Sequence, residues 1–311
     1  MTILLYCALY AGAGVFIMGC IARIVMYAKA PIHLRWELYP IPHEAPHRAG
    51  HGGSRFEESD WWLQPPRSSL MGELKFMVPE ILFLKGLWEF NRGLWWRSFP
   101  FHFGLYLLAG AVGMAAVEAW LSMIGPVPGS AALRLAIQVL YPSAGAAGVF
   151  MALLGAFGLL VRRLTDDSMR SCTTPGDIFN LLFFLITLAV SAVAWLGKPE
   201  SAPTLPAIVA GVLTLDTTLT IPSLHAAGML LASLLCAYIP LTHMSHFIGK
   251  YFTYHSVRWD DRLASGGGKM AARMAQCLAY RPTWSAAHVG ADGKRTWAQV
   301  VADKPGQEAR K

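Results

Sequence analysis

Charge is what this sequence has least of: Asp, Glu, Lys and Arg make up 14% of its 311 residues, where a soluble domain carries about 25%. So sparse a charged surface cannot hold a chain of this size in water, which excludes an ordinary soluble enzyme or binding domain. Cysteine spacing is equally poor in signals. Cys7, Cys20, Cys172, Cys236 and Cys277 are scattered, with no CxxC, CxxCH or ferredoxin pattern, so the chain encodes neither a c-type haem attachment nor an iron–sulfur cluster of its own. They read as small apolar packing residues. Internal repeats and matched pairs of Gly/Pro-broken spans, the marks of many transporters, are missing too. So is a basic stretch ahead of the first apolar run. That run is longer than the core of a signal peptide and is followed by Arg23 and Lys29, so it reads as a retained anchor.

What the sequence has is apolar residues, 54% of the chain, gathered in long stretches. A hydrocarbon core needs about 20 consecutive apolar residues, and five such spans are predicted, near 3–27, 99–124, 135–161, 177–197 and 222–248. The expected fold is therefore all-α, an integral membrane bundle of five transmembrane helices. The formal charge of +7 sorts by loop. Nearly all Lys and Arg lie between Arg23 and Arg97, at Arg162, Arg163 and Arg170, and from Lys250 to Lys311, leaving only Arg134 and Lys198 for the second and fourth loops. By the positive-inside rule the N-terminus is outside, while loops one and three and the C-terminal tail are cytoplasmic. Charges spread along loops among interleaved acids do not make a nucleic-acid surface.

Residues 28–98 form a long polar loop in which Pro40, Pro42, Pro46, Pro65 and Pro66 break any extended helix. From Met71 to Trp96 helical spacing returns: Leu74, Met77, Ile81, Leu84, Trp88 and Trp95 alternate with Lys75, Lys85, Arg92 and Arg97. Trp with Lys and Arg predicts an amphipathic helix at the headgroup level, kinked at Pro79. His33, His43, His47 and His51, near Glu37 and Glu44, read as a solvated loop. After Tyr251 the chain leaves the bilayer, and Ser265-Gly266-Gly267-Gly268 forms a joint. The segment beyond it is too short to be a domain, and Tyr280, Trp284 and Trp297 suggest that it docks on a partner. The chain thus divides into an anchor (1–27), a loop with an interfacial helix (28–98), a four-helix membrane core (99–250) and a docking tail (251–311).

Four histidines, His102, His225, His243 and His246, fall within the spans. An ionisable group at membrane depth is turned inward and put to use in metal, proton or cofactor chemistry. His102 opens the second span and His243 and His246 close the fifth, so both helices present imidazoles near the cytoplasmic side. Haem iron takes axial ligands from two facing helices, and His102 with His246 or His243 meets that need. His225 precedes His243 by 18 residues, roughly 27 Å along a continuous helix and on nearly the same face. Zinc is disfavoured, since no Cys or acid joins these histidines at ligand spacing. A transporter or channel using buried histidines for proton or metal passage is the rival reading.

Three runs carry a family resemblance: FHFGLYLLAG at 101–110, RRLTDDSMRSCTTPGDI at 162–178 and LHAAGMLLASLLCAYIPLTHMSH at 224–246. They resemble the gamma subunit of respiratory nitrate reductase, a membrane cytochrome b. The likeness implies a prokaryotic inner-membrane subunit that carries electrons through haem b between the quinone pool and a partner. In that family a proline precedes a haem ligand by six residues, so Pro240 points to His246. HLRWELYPIPHE at 33–44, YFTYHSVRWDD at 251–261 and WSAAHVGADGKRTWAQV at 284–300 are similar to a branch whose members accompany heterodisulfide reductase-like iron–sulfur proteins. That implies such a partner on the cytoplasmic face.

One departure stands out. The family places a second histidine ten residues after the first on the second helix, and here Val112 stands there. The number of haem groups is therefore one or two. His225 pairs with Met114, binds a haem in another way, or lines a quinone pocket. Glu118, near the outer end of the same span, reads either as a proton-handling group or as a carboxylate snorkelling to the surface.

Overall fold

The computed structural model describes residues 2–30, 41–42, 44–64, 69–125, 129–259, 268–284 and 292–302. In chain order the helices are α1 (Thr2–Lys29), α2 (Pro46–His51), α3 (Leu70–Leu82), α4 (Lys85–Phe90), α5 (Arg92–Ile124), α6 (Ala131–Thr165) and α7 (Asp167–Arg170). They continue with α8 (Pro175–Leu196), α9 (Leu205–Thr214), α10 (Ser223–Tyr238), α11 (His246–Thr253), α12 (Gly268–Leu278) and α13 (Trp297–Ala302). No strand occurs among the described residues. Five helices, α1, α5, α6, α8 and α10 with its short extension to Leu241, are long and apolar enough to cross a membrane. The chain is a multi-pass, all-α membrane protein.

Two compact units are present, Met1–Cys20 with Leu74–Met244 and Ile21–Glu73 with Ser245–Lys311. Local chemistry sets the ends of the spans in the first. Asn91 caps α5 through Leu94 N–H (3.0 Å). Thr174 and Asp177 form a reciprocal capping box ahead of Pro175 at the start of α8, satisfying amides that lipid cannot. Arg134 closes the other end of α5 by donating to the carbonyls of Leu121 and Gly125.

α5 and α6 cross closely at glycines. A Cβ on Gly104 would lie 2.5 Å from Ala152 N, and one on Gly148 would lie 2.9 Å from Gly104 O. Small residues let membrane helices pack where no hydrophobic force drives them together. α8 packs on α6 and α10 packs on α8, around a core of Phe101, Ala152, Ala156, Phe184, Leu188 and Leu235.

The fourth loop contains a helix that the sequence reading leaves as loop. Thr204 caps α9 and Pro206 occupies its first turn. α9 packs on α5, and its Ile208 joins Leu5, Tyr6, Ile221 and Ala226 in a second apolar cluster. Tyr6 and Tyr10 of α1 donate to the Asp216 and Val212 carbonyls (3.0 and 2.8 Å).

Two expectations need correction. The amphipathic helix expected from Met71 to Trp96 is three pieces: α3, α4 and the first turns of α5. α3 passes through Pro79, and the break comes later, at Leu84, whose φ of 52° is left-handed. There the Glu80 carboxylate accepts from Gly86 N–H (2.8 Å). The fifth span is not one helix to residue 248. Pro240 has no N–H to continue the ladder, so α10 tightens to a 3-10 turn at Ile239–Leu241 and Thr242 is extended (φ −119°, ψ −177°). His243 and His225 therefore do not share the face of one continuous helix.

Within the second unit, Arg55 is buried, donating to Gln64 O (3.3 Å) with its guanidinium 5.8 Å from the Trp61 ring. His47 and His51 are exposed, and His51 meets Glu57 at 3.2 Å. His33, Glu37, Pro40, His43, Pro65, Pro66 and Ser265 to Gly267 lie outside the described residues. In the tail, Trp284 packs on Trp297 (5.8 Å), whose N–H donates to Tyr280 O (2.9 Å).

Candidate functional site

His102 is half-buried on α5, one turn beyond Ser98. Its Nδ1 lies 2.8 Å from the Ser98 carbonyl oxygen and 3.3 Å from Ser98 Oγ. A carbonyl only accepts, so Nδ1 carries the proton in this contact, the kind of bond that orients a metal-ligating imidazole. Gly104 and Ala111, which face α6, stand about 180–200° around α5 from His102 at ~100° per residue. The imidazole is thus turned away from α6.

His243 sits in a 3-10 turn, with its side chain 64% exposed. Its Nε2 is 3.3 Å from Asp177 Oδ1 and 3.4 Å from Asn180 Nδ2. Tyr238 donates to Asn180 Oδ1 (2.9 Å), which turns the Asn180 amide nitrogen toward the imidazole, and Arg163 flanks Asp177 at 3.5 Å. The two partners ask opposite things of Nε2, a proton for Asp177 and a lone pair for Asn180. Asn180 and Tyr238 are residues the sequence reading missed. The available signal was an amide near the start of an apolar span.

Contacts between helices set depth. Phe101 meets Phe184 edge-on at 5.0 Å between ring centroids, and α5 and α8 run the same way because α6 is antiparallel to both. Ser98, three residues before Phe101, is then level with Leu181, three before Phe184 and adjacent to Asn180. The His102 ring, turned back onto Ser98, and the His243 ring, held at Asn180, come within about one helical turn of the same depth, ~5 Å. His246 is the first residue of α11, exposed, and belongs to the second unit.

His225 lies near the opposite end of α10. Gly228 faces Ser191 of α8, so His225 is level with Val193 and Ala194. Both its ring nitrogens are buried with no hydrogen-bond partner. A polar group orphaned at membrane depth calls for an occupant. α5 packs along α6, α6 along α8 and α8 along α10, while α9 packs on α5 and its Ile208 shares an apolar cluster with Ala226, next to His225. Gly113, about 20° around α5 from His102, would bring a Cβ within 4 Å of nothing. The orphaned imidazole has the chemistry of a haem-iron ligand.

Glu118 does not snorkel. Its side chain is 10% exposed, with Oε1 3.8 Å from Arg134 Nη1 and 3.3 Å from Gln138 Nε2, and Oε2 is buried without a partner. It faces α6, on the opposite side of α5 from His102.

Residues 87–260 match the nitrate reductase gamma subunit family, a stretch that holds all four membrane histidines. No curated protein matches the chain.

Proposed function

The chain belongs to the nitrate reductase gamma subunit family, and from that premise we propose that it holds haem b between His102 and His246 or His243 and links the quinone pool to a cytoplasmic iron–sulfur subunit. Membership makes it a membrane cytochrome b subunit of a quinone-linked oxidoreductase; the ligands, the partner and the orientation are the proposal. The observation that carries it is the anchoring of His102: its Nδ1 is held by Ser98 O at 2.8 Å, which orients the imidazole on the side of α5 turned away from α6.

Bound haem supplies a one-electron iron couple at membrane depth. The protein's part is to orient the imidazoles and keep the site apolar. Ser98 fixes one ring. For His243 to ligate through Nε2 it must leave Asp177, whereas Pro240 six residues before His246 favours His246 by the family pattern. The exposed Tyr280 and Trp284 and the similarity of the tail to the heterodisulfide reductase-associated branch support docking of an iron–sulfur protein there.

A reduced-minus-oxidised spectrum of the purified protein tests the reading. A sharp α-band is expected, and a transporter would give none. The orphaned His225 nitrogens support a second haem at that level. Extracted haem per chain is then expected to fall by about half in His225→Ala, since one of two iron sites loses its imidazole. An unchanged yield would leave a single haem and assign His225 another occupant.

A further inference from the structure

The corner between α3 and α4 is tied to the face of α5 that carries His102. Tyr106 donates from its hydroxyl to Ile81 O (3.0 Å), and Trp95 donates from its indole N–H to Phe83 O (2.7 Å). On α5 these two donors are separated by 11 residues, about three full turns, so they share a face. His102 lies between them on that face, seven residues after Trp95 and four before Tyr106, all within about 40° of one another. A tyrosine on a helix reaches back toward the preceding turn, so its hydroxyl holds the Ile81 carbonyl at the depth of His102. The corner is held further by Trp88 against Trp95 (4.8 Å) and by Arg92 over Trp88 (4.6 Å). Leu84 accepts a left-handed φ to make the bend.

Backbone carbonyls so close to lipid need donors, and anchoring alone would be served by donors anywhere on α5. Both donors instead flank the one imidazole of that face. We propose that Tyr106 and Trp95 are positioning residues for the group His102 holds. By pinning the Ile81–Leu84 corner along the His102 face of α5, they keep water away from it. The inference rests on the haem reading. Its consequence is electrochemical: oxidised haem carries the greater positive charge, so water admitted beside it favours the oxidised state and lowers the potential.

The test compares wild type with a Tyr106→Phe/Trp95→Phe double variant, which removes both donors and keeps an aromatic ring at each position, the smaller phenyl at 95 still able to stack on Phe99 (4.6 Å). A Trp95→Phe single variant reports the loss of indole packing on Trp88. Tyr10→Phe, which loses a bond to Val212 O (2.8 Å) in the apolar cluster of α1 and α9, serves as the control. Two quantities are read on the purified protein: the midpoint potential of the α-band and the rate of trypsin cleavage after Lys85. In the double variant cleavage rises by roughly fivefold for each bond lost, the factor one typical hydrogen bond represents. The band is retained and its potential falls, while Tyr10→Phe moves neither. Unchanged cleavage shows that the donors do not hold the corner and overturns the proposal. Faster cleavage with an unmoved potential also overturns it, reducing the corner to a lipid anchor. No band in wild type overturns the haem reading and this proposal together, whereas a normal band with an unmoved potential overturns this proposal alone.

Discussion

His102→Ala abolishes the α-band associated with the loop-three end of the bundle and lowers quinol-linked reduction by more than about a hundredfold, the upper end of what loss of even an outer-shell partner costs a metal site. The size follows from what is removed. On the face of α5 turned away from α6, His102 is the imidazole whose second nitrogen is already committed, at 2.8 Å to Ser98 O. No other histidine lies on α5 to replace it. Ser98→Ala, by contrast, is expected to cost little, because the short bond runs to the backbone carbonyl and the hydroxyl stands farther off at 3.3 Å. The comparison separates ligation from packing, since a merely structural His102 would respond to both changes through fold stability. His246→Ala and His243→Ala then identify the second ligand: one loses the band as His102→Ala does. If it is His246, then His243→Ala releases Asp177 and Asn180 and leaves the band in place. A His102→Ala protein with a full-strength band would end the electron-carrier reading of this site.

Apolar run length alone made the five spans legible, because nothing in the chain competes with a stretch of about 20 lipid-soluble residues. Breaks inside such stretches were harder to read. Pro240 was visible, yet a proline in a membrane helix is tolerated when neighbours satisfy the freed carbonyls. What ends α10 here is Pro240 together with Thr242, whose Oγ1 donates to Ile239 O (3.2 Å) and accepts from Met244 N–H (3.3 Å). A local hydroxyl competing with the helix ladder leaves only a faint trace in periodicity. α9 escaped for a different reason. Ten residues are too few for a span and too apolar for a solvated loop, and its stability comes from α1, α5 and α10 packed around it. The candidate site was half legible. His102 announced itself as an ionisable group at membrane depth, but its Ser98 bond and the Asp177–Asn180–Tyr238 set around His243 depend on which helices face each other.

That arrangement rests on glycines, and Gly155→Ala is expected to be as damaging as losing a ligand. Its Cβ would lie 2.7 Å from Phe101 Cα, and Phe101 N is nearer still. These are backbone atoms of α5, one residue from His102, and no rotamer change moves them, so α5 and α6 must part. Overpacking one site costs about 1–3 kcal/mol, and Gly104→Ala, facing Ala152 N at 2.5 Å, adds a second from the other helix. Together they consume much of the ~5–15 kcal/mol that holds a typical domain folded. The paired variant should therefore lose its cooperative thermal transition in detergent, along with the haem band. Two controls grade the effect. At Gly158 the new Cβ would meet only the Arg97 side chain, 3.3 Å from its Cγ, which can turn aside, so Gly158→Ala should shift the transition by a few degrees at most. At Gly14 nothing lies within 4 Å, and alanine there should be neutral or slightly stabilising, by up to about 1 kcal/mol from helix propensity alone. The order Gly155, Gly158, Gly14 is the prediction. Equal losses at all three would mean that helix closeness does not hold His102 in place.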